Sequence, residues 1–538
     1  MDKRFWYILF AFTAIVLLAT AGWYGVMESS DARYAEIARE MYTSGDYLHP
    51  NLLDVHHYHK PPFTYIITAF GYHLFGANPF GARFFLQVAL LIQLLLVYKL
   101  TDLLFSNKKT AFWAAAIYFS FPIVLISTRN LTTDAYLNTF VLATITTWVA
   151  YRKSGKYRWL YAFALLLGLG FLTKGPVVLI IPLPFILFYN RGESAKNNFG
   201  IHHIVTIILF ITISASWFIY LVIENPVFLD YFLGRQTVDR FSENAFGRTE
   251  PFWYFLAFGP LIGIPWSLIL IYLIYKHKNL FSNRSNYKAL LLTIVIALVF
   301  FSISSSKRIL YILPIYGLLA VLNAQLLSIS TEAIRKGILK MVMSFLLVIL
   351  TVFIVAPWLK LDFTIPMSFS IAALVIALFF IALLRIKKIN MADKSVLISS
   401  ITALLLVVAS SFFFAKNELQ VNAVRPITEF IKYNKLNSRN ILIYNTRKPS
   451  IAFGLGKSIV SLNNGDEGLA RETQFETDKN WKKYLINLKD TDEVDRLKSM
   501  LQEPSVLLTY KHPVDKDFQW ILKNYPNKKE MGKWIIYY

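Results

Sequence analysis

The chain has 538 residues, 56% hydrophobic and 16% aromatic, with 55 Lys and Arg against 33 Asp and Glu and a formal net charge of +22. A mean hydropathy of +0.47 and recurring apolar runs of about 20 residues, the length that crosses a bilayer, exclude a water-soluble globular protein. The absence of cysteine excludes disulfides and thiol chemistry. The basic residues gather in short loops between apolar runs, where they set topology, so the charge does not point to nucleic acid.

The first apolar run, Phe5 to Val26, follows a basic start. It is longer than a signal-peptide h-region and lacks an Ala-x-Ala exit, so it is expected to be a retained helix. Next comes the densest charged stretch of the chain, from Glu28 and Asp31 through Arg33 and Tyr34 to Glu40. The spacing of Asp31, Tyr34, Ala35 and Ala38 predicts a short amphipathic helix at the membrane surface, with Asp31 placed to cap it. His56, His57 and His59 precede Lys60-Pro61-Pro62. Neighbouring histidines in one short loop do not readily converge on an ion, and no metal is expected here. The apolar segment Phe63–Phe75 is too short to span and fits an interfacial or re-entrant element.

In all, the pattern predicts an α-helical polytopic membrane protein of about 13 transmembrane helices. They begin near Phe5, Gly81, Thr110, Thr133, Arg158, Pro176, His203, Phe252, Ala289, Ile309, Lys340, Phe363 and Lys394. With the N-terminus in the cytoplasm, alternation puts Lys108, Lys109, Arg152, Lys153, Arg191, Lys196, Arg284, Arg335, Arg385 and Lys387 in cytoplasmic loops, a strong positive-inside bias. An odd number of helices then exports the C-terminus. A division into a membrane domain over 1–415 and a soluble domain over 416–538 is expected, because composition turns polar after Ala415. Short β-type runs at Asn440–Tyr444, Ser505–Tyr510 and Trp534–Tyr538 alternate with helical patterns near Ile427–Tyr433 and Asp492–Leu501, predicting a small extracytoplasmic α/β domain. Gly454-x-Gly456 within it reads as a turn.

Arg33, Lys60, Lys307 and Arg308 fall at the outer ends of helices, where the positive-inside rule does not account for them. A pocket for a phosphate does, Arg supplying a bidentate fork and Lys a point charge; snorkelling or headgroup contact is the alternative. Asp31 and Glu28 place carboxylates beside those cations, suited to a general base or to supporting a cationic transition state. Asp134 heads the fourth span, and Lys174 sits in a tight outer turn, Leu172-Thr-Lys-Gly-Pro176, where intramembrane charge marks function. The loop 224–251, carrying Arg235, Arg240 and Arg248, suits a cover over an acidic substrate.

Taken together, Asp31-Ala-Arg-Tyr-Ala-Glu-Ile-Ala-Arg-Glu40, Lys60-Pro-Pro62, Asp134, Leu172-Thr-Lys-Gly-Pro176 and Ser306-Lys-Arg-Ile-Leu-Tyr-Ile-Leu-Pro314 resemble the bacterial GT-C glycosyltransferases typified by the lipid A aminoarabinose transferase. More distantly, the chain is similar to the protein O-mannosyltransferases. The resemblance implies an inverting, metal-independent transfer from a polyprenyl-phosphate sugar, without a cofactor, to a glycolipid or protein acceptor. It implies that Arg33, Lys60 and Tyr311 hold the donor phosphate, with Tyr34, Asp134, Lys174, Lys307 and Arg308 around the pocket, in a bacterial inner membrane with the C-terminal domain periplasmic. Two positions depart from the family pattern: Ser30, where a second acid commonly stands, and His59, where a glutamate often precedes Lys-Pro-Pro. The first leaves the base open between Asp31 and Glu28; the second means that a metal seen in some relatives is not carried over.

A lipid or solute transporter is the rival reading. It explains many helices, but the sequence has no inverted repeat, and its charges cluster on one side instead of at the midplane. A non-catalytic assembly protein is a third, and it predicts that Arg33 and Lys60 are dispensable.

Overall fold

The computed structural model describes residues 3–28, 30–189, 199–238, 250–283, 285–465 and 468–538. Among them, seven helices are long and apolar enough to cross a membrane, or nine if each of two bent helix pairs is one span. The chain is a multi-pass membrane protein.

The expected starts near Gly81, Arg158, His203, Ala289, Lys340, Phe363 and Lys394 correspond to the seven long spans, Pro79–Phe105, Tyr157–Leu179, Ile201–Glu224, Ser285–Ile303, Glu332–Trp358, Ser368–Arg385 and Met391–Lys416. Those near Thr110 and Phe252 are the bent pairs, Lys108–Phe119 with Pro122–Arg129 at 61° and Tyr254–Ile262 with Trp266–Lys276 at 104°. Proline marks both breaks, since Pro122 and Pro265 follow the first arm and cannot donate to it. Phe5 and Ile309 begin shorter apolar helices, Arg4–Thr20 and Ile315–Ile329. Thr133–Ser154 is a regular helix of 22 residues whose many threonines make it less apolar than the others. Where one helix was expected from Pro176, a 3-10 turn, Gly175–Leu179, leads into the short Pro182–Phe188.

Two compact units divide the chain. The first comprises residues Met1–Thr20 and Leu86–Ser410. Its core is a continuous set of buried aliphatic and aromatic side chains that includes Trp6, Phe119, Trp266 and Leu322. Inside it Tyr118 donates to Gln93 (2.6 Å) and accepts from Asn138 (2.6 Å), which offsets the cost of placing these groups in an apolar surrounding.

The second unit comprises Ala21–Phe85 and Ser411–Tyr538, so the polar chain after the last long helix clusters with the loop segments 21–85. Its sheet has strands β1 (Asn440–Tyr444), β2 (Val460–Asn463), β3 (Leu485–Asn487), β4 (Ser505–Tyr510), β5 (Lys528–Met531) and β6 (Trp534–Tyr537). Their order is β3-β2-β1-β4-β6-β5. The first four are parallel, with Leu442 beside Val460 and Leu507, and β6 runs antiparallel to β4 with Leu508 beside Ile536. The buried runs of β1 and β4 suit strands covered on both faces, while the edge strand β5, Lys-Lys-Glu-Met, is charged and exposed, which discourages further pairing. The helices Arg425–Tyr433 and Thr491–Met500 stand where the sequence pattern puts them. Gly456 ends the helix Pro449–Leu455 at φ 70°, a left-handed cap that glycine adopts without a Cβ penalty.

Phe63–Phe75 is a helix of 13 residues. It buries Tyr65, Thr68, Ala69 and Tyr72, while Phe70 and Leu74 are exposed, the two-faced character of an interfacial helix. Its turn into the next helix brings Gly71 against Gly81 so closely that a Cβ on Gly71 would stand 2.4 Å from the Gly81 carbonyl oxygen. That close approach requires glycine at position 71; the Gly76 carbonyl oxygen, 2.4 Å from a Cβ on Gly81, requires it at position 81, and the turn leads to Arg83.

Candidate functional site

The helix Ser30–Ser44 organises the second unit. The sequence predicts a surface helix, but Asp31, Ala32, Ala35, Glu36, Ile37, Ala38, Arg39, Glu40 and Met41 are all buried. The difference is electrostatic: its charges find partners inside the protein, so the face read as solvated is covered. Glu36 accepts two hydrogen bonds from Arg39, at 2.6 and 2.7 Å. Glu40 accepts from the backbone N–H groups of Leu53 (2.6 Å) and Asp54 (3.1 Å). Those two residues have φ of 55° and 57°, a left-handed conformation costly for side chains other than glycine, and the Glu40 carboxylate holds it in place. Burial, followed by the charges of Glu36 and Asp54, raises the Glu40 carboxyl well above the usual glutamate range.

Asp31 stands in the first turn of this helix. Its Oδ2 accepts from the Met27 N–H at 3.0 Å and is ion-paired with Arg83. Arg83 is itself fully buried, donating to the carbonyls of Tyr24 (2.9 Å) and Gly25 (2.8 Å) and stacking 4.1 Å from the Tyr24 ring centroid. Sequence reasoning passed over Arg83. The signal available was an arginine four residues inside an apolar span, where a charge needs a partner.

Glu28 is the second carboxylate. It accepts from the N–H (3.0 Å) and the hydroxyl of Ser450, and burial raises its carboxyl above the glutamate range despite those bonds and the charges of Lys448 and Arg33. Ser450 also lines a cavity of about 380 Å³, with Gly25, Arg425, Glu429, Lys432 and Phe453 around it. Arg33 is half-buried and, among the described residues, makes no hydrogen bond or ion pair. Tyr34 leans on Tyr65 at 5.2 Å between centroids, and Lys60 is half-buried in the turn before Phe63. His57 is 4% exposed; burial, then the charges of His59, Arg33, Arg447 and Arg471, push its imidazole well below the usual histidine range. Among the described residues no group of three His, Cys, Asp or Glu is placed to hold a metal ion.

In the first unit, Lys174 is ion-paired with Asp134 and its ammonium lies 4.8 Å from the Tyr311 ring centroid. Three residues singled out from sequence therefore meet at one point. Thr132 caps the helix that carries Asp134, its hydroxyl accepting from the Asp134 N–H. Lys307 braces the turn before Ile309, its ammonium donating to the carbonyls of Glu250 (2.7 Å) and Ser304 (2.6 Å). Arg308 beside it is exposed. Of the loop arginines, the Arg235 side chain, Arg240 and Arg248 lie outside the described residues, as do Arg191, Lys196 and Arg284.

The family described as dolichyl-phosphate-mannose-protein mannosyltransferase matches residues 59–218. An undecaprenyl phosphate-alpha-4-amino-4-deoxy-L-arabinose arabinosyl transferase of Aeromonas hydrophila is 31% identical over 302 residues, covering 54% of each chain. That of Pectobacterium carotovorum is 28% identical over 371 residues, 68% of this chain and 64% of its own. The chain spans about half the length of the first of these relatives. Among solved structures, ArnT from Cupriavidus metallidurans bound to undecaprenyl phosphate superposes with a TM-score of 0.81 at 19% identity, covering 100% of this chain and 98% of that one. The chain resembles the bacterial aminoarabinose transferases in sequence and, more distantly, the protein mannosyltransferases, and it has the ArnT-like, mostly helical GT-C fold with a small C-terminal sheet.

Proposed function

We propose that this protein is an inverting glycosyltransferase that moves a sugar from a polyprenyl-phosphate donor to a lipid A-like or other cell-envelope acceptor. It works in the bacterial inner membrane, with the N-terminus cytoplasmic, a membrane domain over 1–415 and a periplasmic α/β domain over 416–538. The observation that carries this reading is Arg33, a half-buried cation with no hydrogen bond or ion pair among the described residues, in a segment whose motifs resemble enzymes named for undecaprenyl-phosphate aminoarabinose.

The chemistry needs few parts. An acceptor oxygen forms a bond to the anomeric carbon from the face opposite the phosphate. The carbon–oxygen bond to phosphate breaks, its electron pair leaving on polyprenyl phosphate, and one displacement inverts the centre. Arg33 and Lys60, with Tyr311, are assigned to the donor phosphate, where they stabilise the charge that develops on the leaving group. Where the acceptor is a hydroxyl, its proton passes to a carboxylate. Glu28, whose raised pKa brings it nearer the operating pH, suits a general base; Asp31, tied to Arg83, suits fixed electrostatic support. Where the acceptor is a phosphate oxygen, already deprotonated at neutral pH, the base matters less. The Lys174, Asp134 and Tyr311 cluster is assigned to the pocket, together with Tyr34, Lys307 and Arg308.

A protein acceptor is the second reading, favoured by the match of residues 59–218 to the protein mannosyltransferases. Mass spectrometry of lipid extracts from cells with the protein, without it, and with Lys60→Ala separates them. A glycolipid mass lost in both the deletion and the variant supports the lipid reading. Unchanged lipids with a lost protein glycoform support the second, and no change in either contradicts the transferase assignment.

A further inference from the structure

Glu28 is held from the far end of the chain. Its N–H donates to the Asn422 carbonyl at 2.9 Å, and Met27 beside it bridges antiparallel to Ala423. Its carboxylate accepts from Ser450 twice, from the N–H at 3.0 Å and from the hydroxyl, and both bonds end on Oε1. Ser450 is buried in the first turn of the helix Pro449–Leu455, which follows β1. A further tie runs around the same place. The Lys448 ammonium lies 3.8 Å from the ring centroid of Tyr510, at the end of β4, and the Tyr510 hydroxyl donates to Asn422 Oδ1 at 2.9 Å. Backbone and carboxylate of Glu28 are thus both fixed by the chain after the last membrane helix.

A general base has to present one oxygen to the proton it takes, within hydrogen-bond reach and in a fixed direction. Two donors on a single carboxylate oxygen do this. They stop the carboxylate from turning, and they leave Oε2, which makes no hydrogen bond among the described residues, for an incoming hydroxyl. The same two donors favour the charged form, against burial, which favours the neutral acid. The charged and titratable groups around the carboxylate are Lys448, Arg33 from the helix Ser30–Ser44, and Tyr510. Among all these contacts, the Ser450 hydroxyl is the one that a substitution removes without changing a charge.

We propose that Ser450 is a positioning residue for transfer, its N–H and hydroxyl fixing Oε1 of Glu28 so that Oε2 receives the acceptor proton. The inference rests on the proposed function, with Glu28 as the base, and gives the chain after the last membrane helix a part in the chemical step. The acceptor oxygen bonds to the anomeric carbon, and the electron pair of the broken carbon–oxygen bond leaves with polyprenyl phosphate. The hydroxyl proton passes to Oε2, and Glu28 returns it to water before the next turnover.

The test uses the full-length protein purified in detergent. Solubilised membranes of cells lacking it supply the donor and the unmodified acceptor, and mass spectrometry follows the initial rate of sugar transfer from about pH 4 to 9. Ser450→Ala and Ser450→Gly each remove the hydroxyl and keep the N–H. Either is expected to move the acidic limb of the rate profile up by about one pH unit, the worth of one hydrogen bond to a charged group, with the rate recovering above the displaced limb. Ser450→Thr restores a hydroxyl and is expected to keep the wild-type limb. Ser505→Ala removes a serine hydroxyl bonded to Tyr525 instead and is expected to leave the limb in place. Thermal unfolding shows which variants are folded. An unmoved limb in folded Ser450→Ala or Ser450→Gly overturns the proposal, as does loss of the fold in both, which makes Ser450 structural. Activity that survives Glu28→Gln removes the base and this inference with it, while the transferase reading stands. A wild type that transfers no sugar at any pH overturns both.

Discussion

The guanidinium of Arg83 is ion-paired with the carboxylate of Asp31, and neither side chain has more than 1% of its surface open to water. This pair fixes the start of the helix Ser30–Ser44 through the Met27 N–H and the carbonyls of Tyr24 and Gly25. A buried charge stripped of its partner is strongly destabilising, by about 3–5 kcal/mol. Arg83→Met is therefore expected to lower the unfolding temperature in detergent, and Asp31→Asn introduced with it to recover part of the loss. Equal melting of Arg83→Met and wild type would show the pair to be structurally idle.

Glu28 and Asp31 are separable by pH. If Glu28 removes the acceptor proton, activity rises as pH climbs through its elevated pKa, above the ordinary 4.5, and Glu28→Gln abolishes both the rise and the turnover. Asp31→Asn then lowers turnover without displacing the pH profile of what remains. Rate against pH for the two variants checks this; a profile displaced only by Asp31→Asn would give the base role to Asp31.

Stability should fall with rising pH through the buried acids of the same helix. Glu40 has its pKa raised in the folded state by burial first and then by Glu36 and Asp54, so the folded state binds its proton more tightly than the unfolded chain does. The stabilisation is present in full below the unfolded value and is lost as pH rises through the folded one. Unfolding of the wild type measured from about pH 4 to 8 is expected to show that decline, and Glu40→Gln to flatten it.

Lys174 sits against the face of Tyr311 while paired with Asp134. Tyr311→Phe keeps the ring and removes only the hydroxyl, so it should leave thermal stability unchanged and raise the KM for donor. Tyr311→Leu removes the cation–π contact as well, at a cost of about 0.5–2 kcal/mol. A donor KM equal to wild type in both variants would take Tyr311 out of the donor site.

Much of this was legible in the sequence, for reasons that particular residues make plain. Long apolar runs such as Glu332–Trp358 show their length directly, and β1 and β4 announce themselves by unbroken branched side chains. The spans broken at Pro122 and Pro265 read as single helices because hydropathy averages over a bend. Lys174 stood out as a charge in a tight apolar turn, Asp134 as an acid at the head of a span and Tyr311 through the family resemblance alone, and the three meet. The burial of the helix Ser30–Ser44 was hidden, since its partners Arg83, Ser450 and the 53–54 backbone lie far along the chain or carry no side-chain signal.

The central claim is that the protein itself breaks a sugar–phosphate bond. The direct measurement incubates purified protein in detergent, where no gradient can drive transport, with a polyprenyl-phosphate sugar and a lipid A-type acceptor, and follows both products by mass spectrometry. Equal amounts of free polyprenyl phosphate and glycosylated acceptor, formed by the wild type and absent with Lys60→Ala, are the predicted result. Donor left intact by the wild type, or products formed equally by Lys60→Ala, would contradict the account.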